Sequence, residues 1–422
     1  MSRFIIMRTG WIAFLFVLLL FSSKGDGQTL DSLKEFGLGF HWSKGQKKLE
    51  IPFELHANLI VIPLKINASD TLRFLVDTGL GTTLLTDSTV FRQLGLKASR
   101  RIDLKGLGEG QAIQAQVVID VKLQVGRAIA LHQNLIYVSS VQLNLSDFVG
   151  TKIQGVLGYE LFSNLVVTLD YARQRMILTQ AQDYHYRKGK GMRFPIEITD
   201  NKPYIQSAII QSKKGEQANR LLLDSGAGHV LFLEGFGLDS SLFTYVDKAV
   251  YLGKGLNGAI VGNMGRVPQL SLGPWTWSQV PTAFPLTKLG SDSSRLHGSL
   301  GGEFLRRYVV TFHYLGQYVV FKPIRRQWRR PFELGLSGVG LRATGVRFRD
   351  YVVESVQSNS PAEEAGVLPG DEIWLINGVR STQYSLGEVY RILKSKEGKK
   401  IELFIRRGNS YHLLSFKLRK LF

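Results

Sequence analysis

Two short acidic motifs are the parts of this sequence whose residue types and spacing could carry out chemistry. Each has an aspartate after an apolar run and before a hydroxyl residue and a glycine: Asp77-Thr78-Gly79 and Asp224-Ser225-Gly226. The apolar run predicts a strand that aims the carboxylate at the edge of a sheet, and the glycine permits a tight turn that brings backbone N–H groups near it. Two such carboxylates in contact share one proton and titrate as a unit.

The elements that must position these aspartates occur twice along the chain. Residues 51–180 and 194–323 contain the same features in the same order: a strand-like run, the aspartate motif, a glycine-rich turn that begins 29 residues after the aspartate, and a closing glycine segment followed by an apolar strand. The aspartates are 147 residues apart, and the closing glycines Gly155 and Gly298 are 143 residues apart. Four features at nearly constant spacing indicate a duplication. Two duplicated lobes related by a pseudo-two-fold axis can bring both carboxylates together.

The glycine-rich turns predict two hairpin flaps. Their glycines are Gly106, Gly108 and Gly110 in the first half and Gly253, Gly255 and Gly258 in the second. Glycine permits the bending and close backbone approach of a flap that closes over an extended substrate. The second turn also matches the Gly-x-Gly-x-x-Gly dinucleotide fingerprint, but Pro268 and further glycine follow it instead of a helix, and no acid stands about twenty residues on. We therefore predict flaps and no cofactor.

With these motifs, residues 51–323 resemble the pepsin/retropepsin superfamily of aspartic peptidases, with two lobes on one chain. The elements Val156-Leu157-Gly158 and Ser299-Leu300-Gly301 carry the resemblance as well. Ser299 departs from the usual apolar residue, and neither flap contains the tyrosine that typifies pepsin, so the flaps look more like those of retroviral proteases.

The resemblance implies an aspartic endopeptidase that acts on polypeptide substrates and needs no second chain for activity. In that mechanism the ionised aspartate activates a water and the protonated one polarises the scissile carbonyl. The implied roles are catalysis for Asp77 and Asp224, buttressing of the paired loops for Thr78 and Ser225, and completion of the turns for Gly79 and Gly226.

A separate small unit follows at residues 335–422. Ser360 and Pro361 begin a short helix that Gly366 ends, and a turn–strand–turn segment runs from Pro369 to Gly378. The Ala-Gly-x-x-Pro-Gly-Asp-x-Ile…Asn-Gly run resembles a PDZ domain. The resemblance implies that a loop of Gly338, Val339, Gly340 and Leu341 offers backbone N–H groups to the terminal carboxylate of a peptide or protein. The alternative is an ordinary glycine turn in a domain that only packs on the lobes.

Composition narrows the classes of site and partner. Lys and Arg number 53 against 34 Asp and Glu, for a formal net charge of +19, which suggests attraction to anionic envelope surfaces. No zinc-finger, helix-turn-helix or RNA-binding aromatic motif is present, so we predict no nucleic acid partner. The chain has no cysteine, and its eight histidines form no His-Glu-x-x-His pattern. Disulfides and thiolate catalysis are excluded, and we predict no metal.

The first residues predict export. Arg3 and Arg8 precede an apolar run from Trp11 to Phe21, and small or polar residues follow through Gly27. We expect a signal peptide and a mature protein in the periplasm, in the cell envelope or secreted; an uncleaved N-terminal anchor is the alternative.

The predicted fold is mainly β, with a two-lobed pepsin/retropepsin-like pair of β-barrels and then a small α+β PDZ-like domain. The predicted divisions are a signal peptide (1–27), an N-terminal extension (28–50), lobe 1 (51–184), lobe 2 (190–323), a basic linker (324–334) and the PDZ-like domain (335–422).

Two other functions compete with the peptidase. A catalytically weak or inactive peptide-binding scaffold of the envelope would keep the fold but lack productive geometry at the aspartates. A serine hydrolase that uses Ser225 lacks the Gly-x-Ser-x-Gly pattern, because Leu223 occupies the first glycine position.

Overall fold

The computed structural model describes residues 39–42, 45–104, 106, 110–139, 143–212, 215–234, 250–286, 297–332 and 335–421. The predicted signal peptide, residues 1–27, lies outside the described residues. Residues 39–42 and 45–50 of the predicted N-terminal extension pack on lobe 1, where Phe40 is fully buried and its N–H donates to Asn164 Oδ1 at 3.1 Å.

Short strands dominate both lobes and the C-terminal domain. The lobe 1 strands are β1 Lys48–Pro52, β2 Glu54–His56, β3 Leu59–Ile66, β4 Leu72–Val76, β5 Leu84–Leu85, β6 Ala98–Leu104, β7 Ile113–Val125, β8 Ala128–Tyr137, β9 Gly155–Leu157, β10 Leu165–Asp170 and β11 Arg175–Gln180. The lobe 2 strands are β12 Met192–Thr199, β13 Lys202–Ser212, β14 Gly215–Leu223, β15 Leu231–Leu233, β16 Val250–Gly255, β17 Gly258–Leu272, β18 Trp275–Pro285, β19 His297–Leu300, β20 Tyr308–His313 and β21 Tyr318–Pro323. The C-terminal strands are β22 Val339–Thr344, β23 Asp350–Val356, β24 Glu372–Ile376, β25 Val379–Arg380, β26 Lys400–Arg407 and β27 Ser410–Lys417.

Helices are short throughout the described residues. The α-helices are α1 Ser88–Gln93, α2 Leu145–Val149, α3 Tyr159–Phe162, α4 Gly302–Leu305, α5 Pro361–Glu364 and α6 Leu386–Leu393, and 3₁₀ turns cover Ala181–Asp183 and Ser381–Gln383. Two of the helices start at serine caps, of which Ser360 was predicted. Ser360 accepts the N–H of Glu363 at the start of α5, and Ser385 and Glu388 form a capping box at α6.

Each lobe contains a closed barrel with the same strand plan. In lobe 1 the ring runs β3-β4-β9-β5-β8-β7 and closes by pairing of β3 with β7. In lobe 2 the ring runs β13-β14-β19-β15-β18-β17 and closes by pairing of β13 with β17. In both rings the strand that leads to the aspartate motif pairs in parallel with the strand of the closing glycine segment, β4 with β9 and β14 with β19. The duplication predicted from the sequence is therefore a duplication of structure.

A shared antiparallel sheet joins the two lobes. Its order is β1-β11-β10-β20-β21-β12, and β10 and β20 meet at its centre with Thr168 opposite Thr311. The two hydroxyl oxygens of this pair lie 2.8 Å apart. Because the same residue type from each copy meets itself here, this pair marks the pseudo-two-fold axis.

The C-terminal domain is a separate sheet with two small helices and its own apolar core. The sheet order is β22-β23-β24-β26-β27, with β25 beside β24. Its core includes Leu341, Tyr351, Val389 and Ile405, and it is distinct from the apolar clusters of the lobes. Over the described residues the fold is mainly β, as predicted.

The basic segment predicted as a linker packs on lobe 2. Phe332 is buried, and the Arg307 guanidinium lies 3.7 Å from the centre of its ring. The Trp277 indole N–H donates to the Trp328 carbonyl at 3.2 Å. The arginines of this segment are exposed, whereas Trp328 and Phe332 attach it to lobe 2. Within the part of the chain that the structure describes, no helix is long and apolar enough to cross a membrane.

Candidate active site

The two aspartate motifs lie at the ends of buried strands, in loops that face each other across the lobes. Asp77 follows β4 and Asp224 follows β14, and neither side chain is more than 2% exposed. Their backbone N–H groups donate to the carbonyls of Leu157 and Leu300 at 3.0 and 2.9 Å, so each loop is anchored to the closing segment of its own lobe.

Two hydroxyl residues fasten the loops to each other. Thr78 Oγ1 donates to the Leu223 carbonyl at 2.6 Å, and Ser225 Oγ donates to the Val76 carbonyl at 2.9 Å. The backbone N–H of each residue donates to the hydroxyl of the other, at 2.9 Å from Ser225 and 3.1 Å from Thr78. This reciprocal set of buried hydrogen bonds matches the buttressing arrangement predicted for these two residues.

The glycines of the motifs let the carboxyl groups approach. The N–H groups of Gly79 and Gly226 donate to Oδ1 of Asp77 and Asp224 at 2.7 and 2.9 Å. A Cβ added at Gly79 would lie 3.1 Å from Asp77 Oδ1 and 3.2 Å from Asp224 Oδ1, and one added at Gly226 would overlap the Asp77 carboxyl. Both carboxyl groups therefore border the same small space, which only residues without a side chain leave open.

Burial raises the pKa of both carboxyl groups. The pKa of Asp77 lies well above its usual range, and the neighbouring Asp224 charge raises it further against the Gly79 N–H. Burial raises the pKa of Asp224 to about 6, whereas the Gly226 N–H and the Asp77 carboxyl lower it. Because the two groups interact, they lose their protons in two steps that belong to the pair and not to either residue.

Lys202 is a buried charge near the site that was not predicted from the sequence. Its side chain is 1% exposed at the start of β13. Burial lowers the pKa of its amine, whereas the charges of Asp77, Asp200 and Asp224 raise it. In the sequence, only the alignment of the two repeats indicates that Lys202 is unusual, because the residue at the matching position of lobe 1 is Leu59.

The predicted flaps are hairpins whose tips touch. Gly253 and Gly255 lie in β16 and Gly258 begins β17, while the first flap lies between β6 and β7. Asn257, at the tip of the second flap, contacts both described glycines of the first flap: its side-chain oxygen accepts from the Gly106 N–H and its carbonyl from the Gly110 N–H. Gly108 lies outside the described residues.

The tip of the second flap also packs on lobe 1. Leu256 is 1% exposed and belongs to an apolar cluster of lobe 1 that includes Leu59, Leu80 and Ile136. The tip of the second flap is therefore attached to lobe 1 through this leucine. Asn257 and Leu256 were not singled out from the sequence, because a contact between two flaps depends on tertiary structure.

The predicted carboxylate-binding residues lie at an end strand of the C-terminal sheet. Gly338 precedes β22, whereas Val339, Gly340 and Leu341 lie within this strand instead of in a loop. Val339 pairs with Val356 of β23. The Tyr390 hydroxyl accepts the Leu341 N–H at 2.9 Å and donates to the Leu341 carbonyl at 3.1 Å. The role of these residues in binding a carboxylate stays a prediction.

Helix α2 of lobe 1 connects the C-terminal domain to the second flap. Asp147 Oδ2 lies 3.8 Å from Arg342 Nη1 on β22. A Cβ added at Gly150, which follows α2, would lie 2.6 Å from the Cβ of Leu386, the first residue of α6. On its other side, Lys254 of the second flap lies 5.4 Å from the ring centre of Phe148. The same short helix thus contacts β22, α6 and a flap.

Comparisons with known proteins agree with this architecture. An aspartyl protease family model matches residues 62–161, which include Asp77, and a PDZ domain model matches residues 352–407. The chain is 31% identical over 101 residues to a probable CtpA-like serine protease of Staphylococcus aureus (strain COL), which covers 23% of this chain and 20% of that protein. It is 27% identical over 99 residues to the carboxy-terminal processing protease CtpB of Bacillus subtilis (strain 168). This match covers 24% of this chain and 20% of that protein.

These relatives share only a short segment with the chain, which spans about a fifth of their length. Among solved structures, a photosystem II D1 C-terminal processing protease is 24% identical and covers 21% of this chain and 23% of its own, with a TM-score of 0.19, which is too low to carry an argument. The chain therefore carries a pepsin/retropepsin-like aspartyl protease domain together with a C-terminal PDZ domain.

Proposed function

We propose that this protein is an aspartic endopeptidase that hydrolyses peptide bonds with the Asp77–Asp224 pair. One observation carries the proposal: two buried carboxyl groups border a common space on loops that reciprocal hydrogen bonds lock together. A pair of carboxyl groups held in this way shares one proton at neutral or mildly acidic pH, which is the protonation state that peptide hydrolysis by aspartic peptidases requires.

The two aspartates take different roles in this mechanism. Asp224, whose ionised form is favoured by the Gly226 N–H and the Asp77 carboxyl, is the carboxylate that accepts a proton from the attacking water. Asp77 holds the shared proton and donates a hydrogen bond to the scissile carbonyl. Its Oδ2 is buried and has no hydrogen-bond partner among the described residues, which supports this role. The proton from the water then passes to the leaving amine, so the pair returns to its starting state.

The PDZ domain extends the proposal to recruitment of substrate. We propose that peptide or protein C-termini bind along β22, the strand at the end of its sheet, where a peptide can add as a further strand. Such a peptide must compete with the Tyr390 hydroxyl for the backbone groups of Leu341. We also propose that the protein acts outside the cytoplasm, because of the signal-like residues 1–27.

The names of the curated relatives raise a serine mechanism, which the site does not favour. Ser225 is fully buried, and its hydroxyl is engaged with Val76 and Thr78. Within the described residues, His229 Nε2 lies 2.8 Å from Ser299 Oγ, which is a serine–histidine contact. Burial lowers the pKa of His229 to about 3, which makes this imidazole a weak base, and both residues are almost inaccessible to a substrate.

Hydrolysis of an unfolded protein at acidic and neutral pH tests the proposal. We expect Asp77→Asn and Asp224→Asn each to reduce kcat/KM at least about a hundredfold. Asp70→Asn, an exposed aspartate of the same lobe, and Ser299→Ala are matched controls that should retain activity. Equal hydrolysis by the wild type and both dyad variants would favour contamination or another mechanism. Absence of hydrolysis in all, with peptide binding retained, would identify a scaffold.

A further inference from the structure

The strand register of lobe 2 sets Lys202 beside the catalytic aspartate of that lobe. Strands β13 and β14 are antiparallel, with Tyr204 opposite Leu222. Continuing the same register by two residues puts Lys202 opposite Asp224. Residues directly opposite each other in an antiparallel pair have their Cβ atoms about 5 Å apart, so the lysine side chain starts within reach of the dyad.

Lobe 1 has the same geometry but no charge at this position. Strands β3 and β4 pair with Val61 opposite Leu75, and the same two-residue step puts Leu59 opposite Asp77. Leu59 is 3% exposed and belongs to the apolar cluster of its lobe. The lysine is therefore a departure from the symmetry of the duplication at a position next to the chemistry.

A hydrogen bond between the lobes fixes the hairpin that bears Lys202. The turn between β12 and β13 is made by Asp200 and Asn201, both with positive φ, as in a tight hairpin. Asn201 Nδ2 donates to the carbonyl of Gly81 at 3.1 Å, which ties the hairpin to the catalytic loop of lobe 1. Lys202 follows directly and is buried at this junction, so its side chain cannot turn away into solvent.

We propose that Lys202 is a positioning residue that uses its buried positive charge to keep the Asp77–Asp224 pair singly ionised during catalysis. The inference rests on the proposed peptidase function and adds a residue to it. Two buried carboxyl groups tend to remain fully protonated, and the fully protonated pair cannot activate water. A cation beside them favours loss of the first proton and so extends activity towards acidic pH.

The direction of the effect follows from the charges that interact with Lys202. Its charge lowers the pKa of both Asp77 and Asp224, and both carboxylates in turn favour its charged form. The other charged or titratable groups around it are Asp200 in its own turn, Tyr204 and Arg220 on the paired strands, and Tyr314 near the dyad. Arg220 is paired with Glu197 at 3.0 Å, and burial raises the pKa of Tyr314, so this phenol stays neutral. Among the described residues, Lys202 is therefore a cation that acts on both carboxyl groups.

The pH dependence of kcat/KM tests this role. Lys202→Met removes the charge and keeps an unbranched side chain, so we expect the acidic limb of the profile to move up by about one to two pH units. Leu59→Met introduces the same residue at the matching position of lobe 1 and should leave the limb unchanged. Lys202→Arg keeps the charge and should keep the limb near its wild-type position. If Lys202→Met does not fold, Lys202→Gln takes its place.

A second readout does not depend on hydrolysis. In protein labelled with ¹³C at the aspartate carboxyl carbons, the resonances lost in Asp77→Asn and Asp224→Asn assign the dyad, and their titration is followed by NMR. We expect Lys202→Met to move the first dyad titration up by the same amount as the acidic limb. If this shift occurs in a protein without hydrolytic activity, the proposed function fails, whereas the effect of the Lys202 charge on the ionisation of the pair is confirmed.

Two outcomes would overturn the role of Lys202 while the peptidase proposal survives. One is a normal acidic limb and an unchanged carboxyl titration in a folded, active Lys202→Met protein. The other is a loss of activity restricted to substrates with acidic side chains, without any shift of the limb, because the charge would then act on the substrate instead of on the dyad.

Discussion

The hydroxyl of Thr78 offers the sharpest test of how the two lobes are held at the active site. In Thr78→Val the shape is kept but the oxygen is lost, which leaves the Leu223 carbonyl and the Ser225 N–H buried without their partner. Each unsatisfied buried backbone group costs about 1 to 3 kcal/mol. We therefore expect the free energy of unfolding of the lobes to fall by about 2 to 5 kcal/mol.

Thr78→Ser is the matched control. It keeps the oxygen and removes one methyl group, which costs about 1 kcal/mol in a buried site. Differential scanning calorimetry is the appropriate assay, because a chain with three domains need not unfold in one step and the lobe transition can be separated from that of the PDZ domain. Activity should fall with stability in Thr78→Val, since the loops that carry both aspartates lose a common support.

A double-mutant cycle with Ser225→Ala tests whether the hydrogen bonds act as one unit. Ser225 Oγ accepts the Thr78 N–H and donates to the Val76 carbonyl, so both hydroxyls belong to one network. The double variant should lose less stability than the sum of the losses of the two single variants, by about 0.5 to 3 kcal/mol. Equal destabilisation by Thr78→Val and Thr78→Ser, or strict additivity in the cycle, would refute this account of the lobe junction.

The remaining predictions concern the flaps, the dyad and the PDZ contact. Asn257→Ala removes the side-chain hydrogen bonds to Gly106 and Gln111 of the first flap and keeps the backbone bond to Gly110, so amide hydrogen exchange in both tips should accelerate, whereas Asn257→Asp, which keeps the acceptor oxygen, should show a smaller effect. Because folding raises the pKa of Asp224 from 3.8 to about 6, the contribution of this group to stability is largest in acid and is lost as pH rises through about 6. In urea denaturation between pH 4 and pH 7, the wild type should lose about 2 kcal/mol more stability than Asp224→Asn. Arg342→Glu should loosen the PDZ domain from α2 and increase the radius of gyration in small-angle X-ray scattering, and the charge swap Arg342→Glu with Asp147→Lys should reverse this increase.

The sequence alone predicts the parts of the two lobes whose motifs are repeated in the chain. The repeated order of strand, aspartate motif, glycine turn and closing segment predicted two lobes. The apolar runs before Asp77 and Asp224 predicted strands that end at the site. These features are local, since an apolar strand followed by Asp, a hydroxyl residue and Gly has few other conformations that satisfy its polar groups. The PDZ motif is local for the same reason.

What could not be predicted depends on register and on contacts between distant segments. Lys202 is an ordinary surface residue type, and only the register of β13 and β14, continued by two residues beyond Tyr204 and Leu222, puts it opposite Asp224. Leu256 and Asn257 were part of a glycine-rich turn, and nothing local indicates that the leucine enters lobe 1 or that the asparagine contacts the other flap. The glycines at 338 and 340 favoured a loop, whereas pairing with β23 makes Gly340 part of a strand.

The duplicated scaffold explains how the aspartates meet, but symmetry alone does not fix which aspartate takes which role. Thr168 lies opposite Thr311 at the pseudo-two-fold axis, and the same strand plan delivers a carboxyl group from each side. A perfectly symmetric pair would hold its shared proton equally on either carboxyl group, so each aspartate could act as the acid or as the base. The exchange of a leucine for Lys202 at matching positions is a departure from symmetry that lies directly beside the pair. Because its charge acts on two carboxyl groups in different surroundings, we infer that the asymmetry of the site arises from the substitutions around the dyad and not from the aspartate motifs themselves.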